Sequence, residues 1–207
     1  MTSTVRHMIA LLVLLTVGAV ALTACASSDG AGGGPSPTGT ARAQSALGTL
    51  VGLAGRRMMT ADTVAAAKWG TSQPIDDPAR EKTVIDGATA QGAKLGIPAD
   101  TVRRVFEDQI AANKTVQRAL YAEWKGAPAL RPTSRPDLTT QVRPVLDRID
   151  GDLLVAIRRA EPLLGDPGCG AALDRAKTQT AADLGLDAVH REGLDRALAH
   201  LCPAPRS

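Results

Sequence analysis

Five polar or charged side chains occupy positions where the sequence pattern predicts buried helix faces. They are Arg57 after Leu53 and Ala54, Lys68 one turn after Val64, Glu81 four residues before Ile85, and Asn113 and Gln117 after Ile110. Each one alone fits the edge of a helix whose charged head reaches water. Lys and Arg heads that face the interior of a bundle are costly unless an anion meets them. Together these residues therefore predict a polar, cation-rich cavity that binds an anionic ligand.

Helices are the elements that must position these side chains. From about residue 46 to 205, apolar residues recur at three- and four-residue spacing, and no run of alternating β-branched residues interrupts them. The segment is long enough to bury a core as one domain. We predict an all-α bundle of about six to seven helices, closed near its C-terminus by a disulfide.

Local signals place several helix ends. Asp77 followed by Pro78 is typical of a helix start, and Gly96 predicts a stop near Leu95. Asp62 is expected to cap a short second helix, and Asp100 to open the longest apolar stripe. Further helices are expected over residues 138–164, 170–184 and 188–201. Pro144 lies either in the first turn of the first of these or at a kink in it.

The N-terminal segment is typical of an exported protein. Arg6 and His7 precede an apolar run from Met8 that closes with Leu-Thr-Ala and Cys25, which resembles the lipobox of bacterial lipoproteins. A transmembrane helix is the alternative, but the run is short for about 30 Å of hydrocarbon. We expect a lipoprotein signal peptide over residues 1–24, a lipidated Cys25 with a flexible tether over residues 25–45, and an extracytoplasmic domain on a membrane anchor. Without lipid at Cys25, the protein would be secreted.

Composition and cysteine spacing limit the partners. The formal net charge of +3 is mild, and one Tyr, one Phe and two Trp give few aromatic rings for stacking on bases. Nucleic acid is therefore not expected as a partner. Cys169 and Cys202 belong to the exported part, where oxidation is favoured, and we predict that they form a disulfide. A metal site is not expected, since no Cys-x-x-Cys occurs and His190 and His200 have no familiar ligand spacing.

From about Leu47 to Pro205 the chain resembles the secreted, all-helical chorismate mutases of actinobacteria. The matching segments are 65–69 (AAAKW), 74–77 (PIDD) with Arg80, 105–110 (VFEDQI), 124–125 (WK), 136–138 (PDL) and 173–177 (LDRAK). The resemblance implies conversion of chorismate to prephenate, a pericyclic rearrangement that uses no cofactor or metal. It also implies a homodimer. Because all the required polar residues occur within this chain, we expect one complete active site in each chain.

The resemblance further implies roles for individual residues. Arg57 and Arg80 would bind substrate carboxylates, for which the planar guanidinium is suited. Lys68 would contact one carboxylate and the ether oxygen, and Gln117 would donate to that same oxygen, where negative charge grows in the transition state. These four residues are the expected catalytic groups.

Further substrate contacts follow from the same resemblance. Glu81 would accept a hydrogen bond from the ring hydroxyl, assisted by the backbone of Asp77. Asn113, where the family usually has a small hydroxyl residue, would line the same wall as Gln117. An arginine that follows the Pro-Asp-Leu segment would complete the pocket; Arg143 is favoured, with Arg135 and Arg148 as the competing positions.

A second function remains open at the level of sequence. A helical lipoprotein that has kept the pocket without catalysis could bind a small anionic ligand or a partner in the envelope. The joint presence of Lys68, Gln117, Arg57, Arg80 and Glu81 favours the enzyme.

The amide at position 117 predicts a simple pH dependence. A glutamine donates a hydrogen bond at any pH, whereas a glutamate must be protonated to donate. We expect the rate of chorismate decay, followed spectroscopically, to change little between about pH 5 and pH 8 for the unmodified chain. In Gln117→Glu the rate should fall as the pH rises. A steep loss in the unmodified chain across this interval would contradict the role of Gln117.

Overall fold

A computed structural model describes residues 37–202 of the chain. The predicted signal peptide, Cys25 and the first part of the predicted tether lie outside the described residues. The later part of the predicted tether, residues 37–45, is helical, and Ala43 is buried in the core. The prediction of a flexible tether as far as residue 45 is therefore wrong, because apolar contacts of Ala43 fix this segment to the domain.

The described residues form six α-helices and no strand, as the sequence predicted. The helices are α1 Pro37–Lys68, α2 Pro78–Lys94, α3 Ala99–Gly126, α4 Arg143–Leu164, α5 Cys169–Asp183 and α6 Ala188–Ala197. A 3-10 turn, Pro128–Leu130, and a π-helical turn, Leu138–Val142, lie between α3 and α4. None of these helices is both long and apolar enough to cross a membrane.

Helix α1 is the central element, and it packs against α3, α4, α5 and α6. Its buried side chains include Leu50 and Met58, which belong to the same core cluster as Phe106 of α3 and Leu153 of α4. Gly193 lets α6 approach this core closely, because a Cβ at that position would lie 2.8 Å from the sulfur of Met58. The core thus fixes α1 relative to the helices around it.

Asp62 does not begin a second helix. Helix α1 runs without interruption to Lys68, and residues 56–68 contain no glycine or proline. Oδ1 of Asp62 lies 3.0 Å from Nε2 of the buried His190 in α6. The other ring nitrogen of His190 lies 2.8 Å from Asp187 Oδ1. Asp62 therefore links α1 to α6 rather than capping a helix.

The remaining local signals were more reliable. Asp77 caps α2, Gly96 has a φ of +73° just after its end, and Pro144 lies in the first turn of α4. Helix α3 begins at Ala99, so Asp100 lies in its first turn instead of at the cap. The disulfide between Cys169 and Cys202 is confirmed, with 5.8 Å between the two Cα atoms, and it joins the start of α5 to the chain beyond α6.

Candidate active site

One pocket contains every predicted substrate-binding residue. It lies among α1, α2, α3 and the segment from the π-helical turn into α4, and encloses about 130 Å³. A single water needs roughly 10 to 15 Å³ by the same kind of measure, so the pocket is large enough for a small molecule. The predicted residues that line it are Arg57, Lys68, Asp77, Arg80, Glu81, Asn113, Gln117 and Arg143.

Arg57 is the most deeply buried charge in the pocket. Only 4% of the residue is exposed, because the α1 face that carries it packs into the core. Its Nε donates to Asp150 Oδ1 at 2.7 Å, and its Nη1 to the backbone oxygen of Gln109 at 3.4 Å. A buried guanidinium requires such partners. These contacts fix its position in the pocket before any ligand arrives.

Lys68 ends α1 at the rim of the same pocket. Its Nζ donates to the backbone oxygens of Pro74 at 2.9 Å and Ile75 at 3.5 Å. Burial lowers the pKa of Lys68 below its usual value, and the negative charge of Asp77 and other nearby carboxylates opposes this only in part. The ammonium therefore loses its proton more readily than that of a free lysine.

The first turn of α2 holds the acidic side of the pocket. Asp77 Oδ1 accepts from the backbone N–H of Arg80 at 3.0 Å, and Glu81 Oε1 accepts from the backbone N–H of Asp77 at 3.2 Å. The two carboxylates thus satisfy N–H groups that the start of a helix leaves free. Glu81 is held at a fixed place as a result.

Asn113 and Gln117 form one hydrogen-bonded wall of α3. Gln117 Nε2 donates to Asn113 Oδ1 at 2.8 Å, and Asn113 Nδ2 donates to the backbone oxygen of Arg57 at 3.4 Å. Both residues are buried, and Gln117 Oε1 has no hydrogen-bond partner among the described residues. A second N–H of Gln117 remains available to a ligand.

Arg143 lies in the pocket, whereas the competing arginines do not line it. Arg143 directly follows the π-helical turn, and Arg143 Nη1 lies 3.4 Å from Thr139 Oγ1 in that turn. Arg135 instead donates to the backbone oxygen of Trp69 at 3.0 Å, and Arg148 is an exposed residue of α4. Among the three candidates, only Arg143 is positioned to contact a ligand there.

Three charged residues of the pocket were not predicted from the sequence: Lys114, Asp147 and Asp150. Lys114 Nζ lies 2.9 Å from each carboxylate oxygen of Glu81, and Asp147 Oδ1 lies 3.9 Å from Arg80 Nη2. The available signal was the three-residue spacing of the two aspartates, which places them on one face of α4. Lys114 gave no signal, since it reads as a surface residue of α3.

The charges of the pocket do not cancel locally. Its five cations are Arg57, Lys68, Arg80, Lys114 and Arg143, and its four carboxylates are Asp77, Glu81, Asp147 and Asp150. Three of the cations form ion pairs with these carboxylates. Within residues 37–202, Lys68 and Arg143 form none, and no acidic, histidine or cysteine cluster suited to a metal is present. With five cations and four carboxylates, the pocket carries one net positive charge and suits an anionic ligand.

Comparison with known proteins gives consistent relatives. The family Chorismate mutase type II matches residues 48–118. A secreted chorismate mutase of Mycolicibacterium smegmatis is 38% identical over 80% of this chain and 91% of its own length. One from Mycobacterium tuberculosis is 34% identical over 81% of this chain and 84% of its own.

Solved structures agree with the sequence relatives. The crystal structure of chorismate mutase from Burkholderia phymatum has a TM-score of 0.74 and 36% identity, and covers 78% of this chain and 99% of its own. That from Burkholderia thailandensis has a TM-score of 0.73 and 36% identity, over 76% and 99%. Helical architecture, a cation-rich pocket and similarity along most of the domain lead to one assignment: the chain belongs to the secreted chorismate mutase family.

Proposed function

We propose that the pocket among α1, α2, α3 and α4 is the site at which this exported enzyme converts chorismate to prephenate. The observation that supports the proposal best is the pair of cations, Lys68 and Arg143, which have no ion-pair partner among the described residues and line one cavity. Chorismate carries two carboxylates. Its binding would give both cations a counter-charge in a partly desolvated place.

The rearrangement breaks a C–O bond as it forms a C–C bond within one molecule, so it needs no nucleophile. Its main requirement is a compact, chair-like substrate conformation, and positioning of the two carboxylates supplies this. Asp150 holds Arg57 at 2.7 Å, and we assign the remaining N–H groups of Arg57 to one carboxylate. We assign Arg80 and Arg143 to the carboxylates as well.

The ether oxygen gains negative charge as the C–O bond breaks. Lys68 and Gln117 are the donors that we assign to it, one charged and one neutral. Because both are held by hydrogen bonds before the reaction, little reorganisation is needed when charge develops. Glu81 and the Asp77 backbone are assigned to the ring hydroxyl, while Asn113 fixes Gln117 through its side-chain oxygen.

The non-catalytic lipoprotein considered from the sequence has no observation in its favour. All eight assigned residues belong to one chain and one cavity, which supports the proposal that each chain has a complete site. We also propose a homodimer, which light scattering on the purified protein would test: a monomeric mass at micromolar concentration would contradict it.

The N-terminal region supports a further proposal about location. We propose that residues 1–24 are removed as a signal peptide and that Cys25 carries lipid, with a tether that ends where α1 begins at Pro37. Two lipid chains on one cysteine would give stable membrane binding. The domain would then act close to the outer face of the membrane.

Removing one unpaired cation tests the proposed site. In a chain that starts at residue 26, Arg143→Ala should lower kcat/KM for chorismate by roughly thirtyfold. The reason is that a charged hydrogen bond contributes about 2 kcal/mol to stabilisation of the transition state. Arg148→Ala, an exposed arginine of the same helix, is the matched control and should leave kcat/KM unchanged. Absence of prephenate formation by the unmodified chain would refute the function, and equal effects of the two variants would refute the assignment of Arg143.

The lowered pKa of Lys68 predicts an alkaline limit to activity. Lys68 must keep its proton to donate to the ether oxygen, and a lowered pKa means that the proton is lost at a pH below the 10.5 of an ordinary lysine. We expect kcat/KM to be level near neutrality and to fall as the pH rises toward that value. In Lys68→Arg any remaining activity should not show this fall in kcat/KM at alkaline pH. An unmodified enzyme that stays fully active beyond pH 10.5 would contradict the role.

Lipidation is tested in cells. In a bacterial host with lipoprotein processing, the unmodified chain should fractionate with membranes, and Cys25→Ser should lose this association while its pocket stays active. Membrane association that is unchanged by Cys25→Ser would exclude lipid at this cysteine as the anchor.

A further inference from the structure

We propose that Lys114 is a positioning residue for the reaction. It holds the Glu81 carboxylate in place to accept a hydrogen bond from the ring hydroxyl of the substrate. This inference rests on the proposed function of the pocket and extends it to a residue with no assigned role. The geometry that carries it is the pair of 2.9 Å contacts from Lys114 Nζ to both carboxylate oxygens of Glu81.

The contact is partly shielded from water. Only 19% of the Lys114 side chain and 26% of the Glu81 side chain are exposed. Burial acts against the charge of Lys114, but hydrogen bonds to Glu81 and Asp76 outweigh it and raise the pKa of the ammonium. Lys114 is thus a persistent cation, and screening weakens this pair less than one on the open surface.

A second carboxylate fixes Lys114 itself. Its Nζ lies 3.1 Å from Asp76 Oδ1, and Arg118 Nη2 donates to both oxygens of Asp76 at 2.7 Å. The resulting chain of charges joins α3 to the segment before α2. Glu81 is therefore held from two sides, by Lys114 and by the backbone N–H of Asp77 at 3.2 Å.

The need for such a cation follows from the charge of the substrate. A dianion that enters the pocket brings two negative charges near the carboxylate of Glu81, and like charges repel each other more strongly in a desolvated site than in water. Lys114 offsets that repulsion. The two oxygens of Glu81 offer about four lone-pair positions. Glu81 can therefore accept a hydrogen bond from the ring hydroxyl while it stays paired with Lys114.

A double-mutant cycle separates positioning from a purely structural role. With a chain that starts at residue 26, Lys114→Met should lower kcat/KM for chorismate about tenfold, on the scale of a charged hydrogen bond. In the Glu81→Gln background the same substitution should change kcat/KM by less than about twofold, because the group it positions has lost its charge. Lys114→Arg, which keeps the cation, should retain most of the activity.

Controls use the same region. Lys82→Met removes an exposed lysine of α2 that pairs with Asp86, and it should leave kcat/KM unchanged. Thermal unfolding of each variant is measured in parallel. If Lys114→Met does not fold, Lys114→Gln replaces it in the cycle, as it keeps a donor and removes the charge.

The outcomes distinguish this role from the function on which it rests. A tenfold loss that disappears in the Glu81→Gln background, with restoration by arginine, supports the positioning role. A loss of equal size in both backgrounds, or no loss in a folded Lys114→Met, overturns it while the enzyme assignment stands. An unmodified chain that forms no prephenate overturns the proposed function and this role together.

Discussion

Keeping positive charge inside a helical bundle is the constraint on which the site depends. Arg57 is only 4% exposed, and a guanidinium in such a place is stable only if fixed acceptors surround it. Asp150 and the backbone of Gln109 supply these acceptors from α4 and α3. The same contacts that make burial of Arg57 tolerable orient it, so the fold and the preorganisation of the pocket have a common origin.

The other charges of the pocket follow the same logic with a different result. Arg80 and Lys114 have carboxylate partners, whereas Lys68 and Arg143 are held by neutral oxygens within residues 37–202. Neutral acceptors hold a cation in place without cancelling its charge. This division is consistent with the proposal that the pocket binds a dianion.

The sequence predicted the helices and the main pocket residues because both depend on local patterns. Asp77-Pro78 and Gly96 mark helix ends, which depend on only a few neighbouring residues. Lys68 and Gln117 could be recognised because they interrupt apolar helix faces. The continuity of α1 past Asp62 could not be predicted, since the partner of Asp62 is His190, far along the chain. Asp147, Asp150 and Lys114 were missed for the same reason: each acts through a side chain on another helix. The predicted end of the tether at residue 45 was wrong because Ala43 gains its apolar contacts only in the folded bundle.

The central claim is that two unpaired cations, held before binding, recognise a dianion in a chair-like shape. Its most direct test is the dissociation constant of a stable bicyclic ether dicarboxylate that mimics this shape, compared with that of its monoester. We predict that the dicarboxylate competes with chorismate and binds at least about tenfold more tightly than the monoester, as expected for one lost charged contact. Equal affinities of the two compounds, or no competition with chorismate, would contradict the account.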